Sequence, residues 1–311
     1  MIKSKTKYSN HVGIKHSRPV RFKRKHILKI VQYTILIILA VLFVFPVAIV
    51  FTNSFMSGFE ILGRYTHLIL PGNMHDASEN IHFVRFTLIP NQVTLQQYAD
   101  LFFGHPMYTG RFWNSVALAL PIVLGQVLIC APAAYAFEMS RNRYKEAIYL
   151  VYIVIMLLPL QVVLVPNFIM VEWLGLLENR ASIILPAMVS PFGVFLMRQY
   201  LKGLSSEYIE AAQIDGAGHL RIIFRIVMPM FKPAIAALIM LTFIENWNLV
   251  EQPIIFLTTE QEPLSVYLGA MADRNTDMIF AASFFYLLPP VLMFLYWKEH
   301  MVEGIGLSGI R

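Results

Sequence analysis

Six stretches of this chain are apolar for about twenty residues at a time, and basic residues gather at alternate ends of them. A run of that length lets an α-helix, rising about 1.5 Å per residue, cross the roughly 30 Å hydrocarbon core of a bilayer. The runs lie at about 30–51, 112–137, 147–170, 181–200, 233–257 and 278–297. Lipid offers no partner to a free N–H or C=O, so such segments cross as helices. The predicted class is an all-α membrane protein with six transmembrane helices. Composition agrees: only 14% of the 311 residues are charged, against about a quarter in soluble domains. The first run is too long for a signal-peptide core and lacks a small-residue cleavage site, so it is expected to stay as a span.

Charge fixes the expected orientation. Residues 1–29 carry ten Lys or Arg and no acid. In a soluble protein, that tail and the net charge of +6 would suggest nucleic acid. Here the positive-inside bias accounts for both, with anionic lipid as the nearby partner and no nucleic acid expected. Further basic clusters follow the second and fourth runs, at Arg141, Arg143 and Lys145 and at Arg198 and Lys202. Of the 25 Lys and Arg residues, only Arg64, Arg85, Arg111, Arg180 and Arg274 fall on the other side. Both termini are therefore expected in the cytoplasm of a cell whose cytoplasmic membrane holds the chain.

The layout that follows has five parts: a basic cytoplasmic tail at 1–29, a first span at 30–51, an extracytoplasmic loop at 52–111, a core at 112–300 and a cytoplasmic tail at 301–311. The long loop has turn signals at Pro71-Gly72, Pro90-Asn91 and Gly104-His105-Pro106. His67, His75 and His82 match no common metal-ligand spacing, and the chain's single cysteine, Cys130, lies far away in an apolar run. No metal site is expected, and Cys130 reads as a packing residue.

A polar break at 203–229 has helical texture of its own. Ser205 or Ser206 can cap a short helix, Glu207 suits its positive end, and Gly216 can take the left-handed conformation that stops it. A second helix is expected from about Leu220, with Leu220, Ile223, Phe224 and Val227 on one side and Arg221 and Arg225 on the other. It should end or kink near Pro229. Alanines at 211 and 212 leave room for close approach, so the unit has the form of a plug for a socket on another protein.

Its residues, Glu210-Ala211-Ala212-Gln213-Ile214-Asp215-Gly216-Ala217, then Ile223-Phe224, then Pro229 and Pro233, resemble the EAA loop of permease subunits in binding-protein-dependent ABC importers. The pattern is similar to the carbohydrate-uptake branch that includes the maltose permeases. Other segments carry the same resemblance: Trp113-Asn114-Ser115, residues 133–136, Pro159, Pro166, Gly175-Leu176, Phe195-Leu196-Met197-Arg198-Gln199 and Val302-Glu303-Gly304. Two positions depart from the pattern. Gly218 stands where a small polar residue is usual, and Met228 where leucine is commoner.

The resemblance implies a cytoplasmic coupling loop in which Glu210 makes polar contacts to a separate ATPase. Ala211, Ala212 and Gly216 would give close fit, and Asp215 and Phe224 would belong to the same surface. It also implies the partners: a second permease subunit, a cytoplasmic ABC ATPase dimer that binds ATP and Mg, and an extracytoplasmic solute-binding protein. The cargo implied is a sugar or oligosaccharide. Whether the permease pair is a homodimer or a heterodimer stays open, with two different chains favoured. ATP binding would close the ATPases, carry the loops with them and open the path outward, and hydrolysis would reset it.

Near the outer end of the fifth run stand Glu245, Asn246, Trp247 and Asn248, with Glu251 and Gln252 beyond. Carboxylates in a span usually face a cavity or a partner, and a sugar path needs polar groups and an aromatic face. These residues are candidate pathway groups. The plainer account is that Trp and polar residues mark the membrane interface.

No phosphate-binding G-x-x-x-x-G-K-[ST], no H-E-x-x-H and no G-x-S-x-G occurs. The glycines at 304, 306 and 309 match a dinucleotide pattern, but no strand precedes them and no helix follows. No catalytic residue and no cofactor is therefore assigned to this chain. The rivals are the same machine with a charged cargo (glycerol phosphate or a uronic saccharide), a stand-alone channel and an intramembrane enzyme. Missing catalytic residues count against the enzyme, the coupling loop counts against the channel, and the few outer basic residues favour neutral cargo.

Overall fold

The computed structural model describes residues 21–69, 87–203, 207–274 and 276–308. These residues are mostly helical. Among them the sole β feature is an isolated bridge between Met56 and Val93. By contacts the chain divides into two units, 1–49 and 50–311.

The described part of the first unit belongs to α1 (Arg21–Asn53). Ile30, Leu36, Val41, Leu42 and Phe43 of this helix are all exposed. An apolar helix exposed on every side within this chain suits lipid as its solvent.

The second unit opens with α2 (Gly58–Ile69), α3 (Gln96–Ala99) and a π turn at Asp100–Gly104. Most of the expected external loop at 52–111 is thus helical where it is described, and its centre, 70–86, lies outside the described residues. Glu60 ties α2 to the segment at 87–95 by accepting from the amide N–H groups of Asn91 (3.1 Å) and Gln92. The side chains of His67, His75 and His82 also lie outside the described residues. Among the described residues no cluster of His, Cys, Asp or Glu could hold a metal ion.

Helix α4 (Pro106–Met139) is the axis of this unit. Its 34 residues span about 51 Å at 1.5 Å each. It starts earlier than the apolar pattern alone suggested, because Pro106 is well placed to open a helix, where its missing N–H goes unneeded. Next come α5 (Lys145–Met156) and α6 (Leu160–Trp173), separated by a bend of 103°. Pro159 caps α6 in an extended conformation, so one apolar run becomes two helices.

The fourth run is α7 (Ala181–Met188) followed by α8 (Pro191–Lys202). Ser190 caps α8 by accepting from Gly193 N at 3.1 Å. Pro191 has no N–H, so it cannot donate to the Ala187 carbonyl, and Gln126 Nε2 of α4 supplies that bond at 2.8 Å. Thr242 then donates to Gln126 Oε1 at 2.7 Å, extending the polar chain to the fifth run.

The remaining helices are α9 (Glu207–Ile214), α10 (His219–Ile222), α11 (Met228–Met230), α12 (Lys232–Trp247), α13 (Glu251–Phe256), α14 (Leu264–Arg274) and α15 (Ile279–Ser308). A π turn at Ile223–Val227 links α10 to α11. Among the described residues, four helical stretches are long and apolar enough to cross a membrane, and two bent pairs raise that to as many as six. The fifth run is shorter than expected: α12 has 16 residues, about 24 Å, and stops at Trp247.

Candidate functional site

Two groups of contacts lie at opposite ends of α4. At its C-terminal end sits the knuckle formed by α9, α10, the π turn and α11. Helix α9 ends in a Schellman cap: Ala217 N donates to Ala212 O (2.9 Å) and Gly216 N to Gln213 O (3.0 Å). Gly216 has φ +77°, the left-handed conformation that the sequence led us to expect there. The expected capping serines, Ser205 and Ser206, lie outside the described residues.

The knuckle has two faces. Ile209, Ala212, Ile222, Ile223, Val227 and Phe231 are buried against Ala131, Ala134 and Tyr135 of α4 and Val194, Met197 and Leu201 of α8. Ala212, expected on the partner-facing side, instead packs into this chain's own core. Outward lie Tyr208, Ile214 and Leu220, the latter two 86% and 72% exposed, with Phe224. Glu210, Ala211, Asp215 and Gly216 are exposed beside them. The expected single apolar stripe through Leu220, Ile223, Phe224 and Val227 is therefore split. The inner face runs through Ile222 and Ile223, and the wider repeat of the π turn brings Val227 back onto it, while Leu220 and Phe224 point out.

Tyr135 Oη lies 3.1 Å from His219 Nδ1, pinning the start of α10 to α4. Between the knuckle and the end of α4 lies an open cavity of about 1010 Å³, lined by Glu138, Arg141, Lys145, Glu210, Gln213 and His219 among others.

The candidate pathway residues do not lie on one face. Trp247 is fully buried: its Nε1 donates to Tyr286 O at 3.1 Å, and its ring stacks with Phe243 and Tyr286. With no exposed surface, the ring has no face to offer a sugar here. Asn246 is buried as well and donates to Thr242 O within its own helix at 2.8 Å. Glu245 and Asn248 are exposed. Asn248 Oδ1 accepts from Tyr286 Oη at 2.7 Å. Glu251 accepts from Gln161 Nε2 of α6 at 3.3 Å, so an exposed polar strip joins two runs.

At the N-terminal end of α4 is a clamp that pattern reasoning named without giving it a role. Asn114 Nδ2 donates to the carbonyls of Glu260 (2.8 Å) and Glu262 (3.0 Å), and its Oδ1 accepts from Arg180 Nη2 (2.6 Å). Ser115 Oγ accepts from Leu264 N at 2.8 Å, and Arg111 donates to the Thr259 carbonyl. Arg111, Asn114 and Ser115 lie on one face of α4 at spacings of three and four. That spacing was visible in the sequence, but the segment they would grip was not.

Comparisons with known proteins fit this geometry. Residues 126–296 match the family described as binding-protein-dependent transport system inner membrane component. The arabinooligosaccharides transport system permease protein AraQ of Bacillus subtilis (strain 168) is 29% identical over 248 residues, covering 78% of this chain and 88% of that protein. The sn-glycerol-3-phosphate transport system permease protein UgpE of Escherichia coli O1:K1 / APEC is 29% identical over 238 residues, covering 73% and 85% respectively. A solved bacterial ABC transporter involved in the import of the acidic polysaccharide alginate contains a chain that superposes with TM-score 0.71 at 23% identity, covering 91% of this chain and 99% of that one.

Proposed function

Because this chain belongs to the family of binding-protein-dependent transport system inner membrane components, we propose that it forms part of the path for a sugar or oligosaccharide through an ATP-driven importer. It is a multi-pass protein of the cell membrane and a permease subunit, not an enzyme. The family works with an ATPase and a solute-binding protein. In this reading both termini and the knuckle face the cytoplasm, a second permease subunit completes the path, and an ATPase dimer grips each knuckle.

The observation that carries the reading is the two-faced knuckle. Its inner side is welded to α4 and α8 by apolar burial. Its outer side presents Glu210, Ala211, Asp215, Gly216 and Phe224 with Ile214 and Leu220. Short helices braced from behind transmit a push, whereas a floppy link would absorb it. Within the membrane, exposed Glu245, Asn248, Glu251 and Gln161 cannot face lipid cheaply, so the polar path is where they belong. Asn246 and Trp247 support them from within.

The relatives' names include both a neutral saccharide and a phosphate ester. A charged cargo would call for free cations at the outer end. Arg111 and Arg180 are instead engaged with the 258–264 segment and Asn114, and Arg85 lies outside the described residues. Neutral cargo is therefore the reading these contacts favour.

A cysteine at 215 tests the assignment, since the chain's own Cys130 is buried. A membrane-impermeant maleimide should label Asp215→Cys from the cytoplasmic side alone, and bound ATPase should protect it. Labelling from outside, or no protection in the purified complex, would overturn the reading.

A further inference from the structure

Arg198 lies near the end of α8 and is only 1% exposed. Its Nε is 3.1 Å from Glu138 Oε2 at the end of α4, and its Nη2 is 2.6 Å from Glu146 Oε1 at the start of α5. The guanidinium also sits 3.9 Å from the centre of the Tyr149 ring. Lys145 Nζ donates to the Glu138 carbonyl at 3.1 Å, closing the α4–α5 turn onto the same spot. Three helices therefore meet on one buried cation.

Stability alone is a poor reason for such a cluster. Desolvating a guanidinium consumes much of what the carboxylates return, and a well-packed apolar residue often does as well. What a buried ion cluster adds is register, because sliding one helix by a turn strands a charge. Position supplies the rest of the argument. Helix α8 leads directly into the knuckle, and α4 is tied to it through Tyr135 and His219. Helix α5 leads the other way, to the break at 157–159 and its 103° bend. Helix α8 likewise starts from a break, at 189–190. Both breaks lie beyond the cluster as seen from the knuckle.

We propose that Arg198, with Glu138 and Glu146, is the positioning cluster that makes α5 follow α8 when the knuckle is displaced, so that the bend at 157–159 takes up the motion. The proposal rests on the coupling reading above and deepens it. Arg198 touches neither ATPase nor cargo in this account. It acts through the helices it holds in step.

The test needs no knowledge of the cargo. Leu157, at the bend, is exposed, and Leu157→Cys can report movement by its maleimide labelling rate in the assembled complex, with and without ATP and Mg. In the parent the rate should change on ATP binding. Glu146→Gln removes one charge from a side chain that is 61% exposed, so it leaves no buried vacancy. It should cut the ATP-dependent change about two- to fivefold, the scale on which a partly exposed ion pair moves an equilibrium. Glu146→Asp, which keeps the charge, should restore at least half of it. Arg198→Lys keeps charge without the planar fork and should fall between the two. If that variant fails to insert, Glu146→Gln decides.

An undiminished response in Glu146→Gln, no restoration by Glu146→Asp, or no response at 157 in the parent would each overturn the proposal. Failure of the coupling reading would show separately, as lost ATPase protection of Asp215→Cys in the parent.

Discussion

Gly216 is the residue whose backbone decides the shape of the knuckle. At φ +77° any side chain meets the following carbonyl, a penalty of about 1–2 kcal/mol. Gly216→Ala should therefore loosen α9, read as faster amide exchange over 207–217 and weaker ATPase co-purification. Gly218 has φ −69°, and Gly218→Ala should leave both measurements unchanged. The neighbouring pair Glu245 and Trp247 separates in the same way. Trp247→Ala empties a fully buried, stacked site and should cost about 3–5 kcal/mol in detergent unfolding. Glu245→Gln, on an exposed carboxylate, should shift stability by less than about 0.5 kcal/mol while altering uptake. Equal stability losses in the two variants would contradict that division. The sequence showed four adjacent polar or aromatic residues but not which way each faces. Adjacent positions on a helix differ by about 100°, so at most some of them could share a face.

The proline punctuation was legible, and its consequences at the level of elements were only partly so. Pro159 splits the third run and Pro191 the fourth. Pro229 and Pro233 flank the bend at 231. What could not be read ahead was how each break is satisfied. At the α7–α8 break Gln126 reaches across from α4 to the Ala187 carbonyl, and Thr242 closes the other side of its amide. Gln126→Met keeps the volume but leaves two buried polar groups without partners. It should destabilise the protein by about 1–3 kcal/mol, measured as thermal aggregation in detergent. The π turn at 223–227 escaped for a related reason. A 3.6-residue pattern assumes an unbroken α repeat, and one wide turn is enough to bring Val227 onto the face of Ile222 and Ile223.

At the scale of the molecule, the apolar runs gave the class away, because bilayer thickness and backbone satisfaction leave few alternatives, and the pattern at 210–233 pointed to a family that works with an ATPase and a binding protein. Long-range pairings stayed hidden: the Asn114 clamp joins residues 66 to 148 positions apart in the chain. That clamp and the knuckle occupy opposite ends of α4, so their functions should separate by mutation. Asn114→Ala deprives the Glu260 and Glu262 carbonyls and the Arg180 guanidinium of their shared partner. The segment at 258–264 should then open, and limited proteolysis should cut it faster. Uptake should fall by about tenfold or more, since a lost hydrogen bond to a charged group is worth roughly 1.5–3 kcal/mol. The knuckle, about 32 Å of helix away at Tyr135, keeps its Tyr135–His219 tie and its apolar seat. ATPase co-purification should therefore match the parent. If Asn114→Ala removes the ATPase together with uptake, the two ends are not independent and α4 transmits disturbance along its whole length.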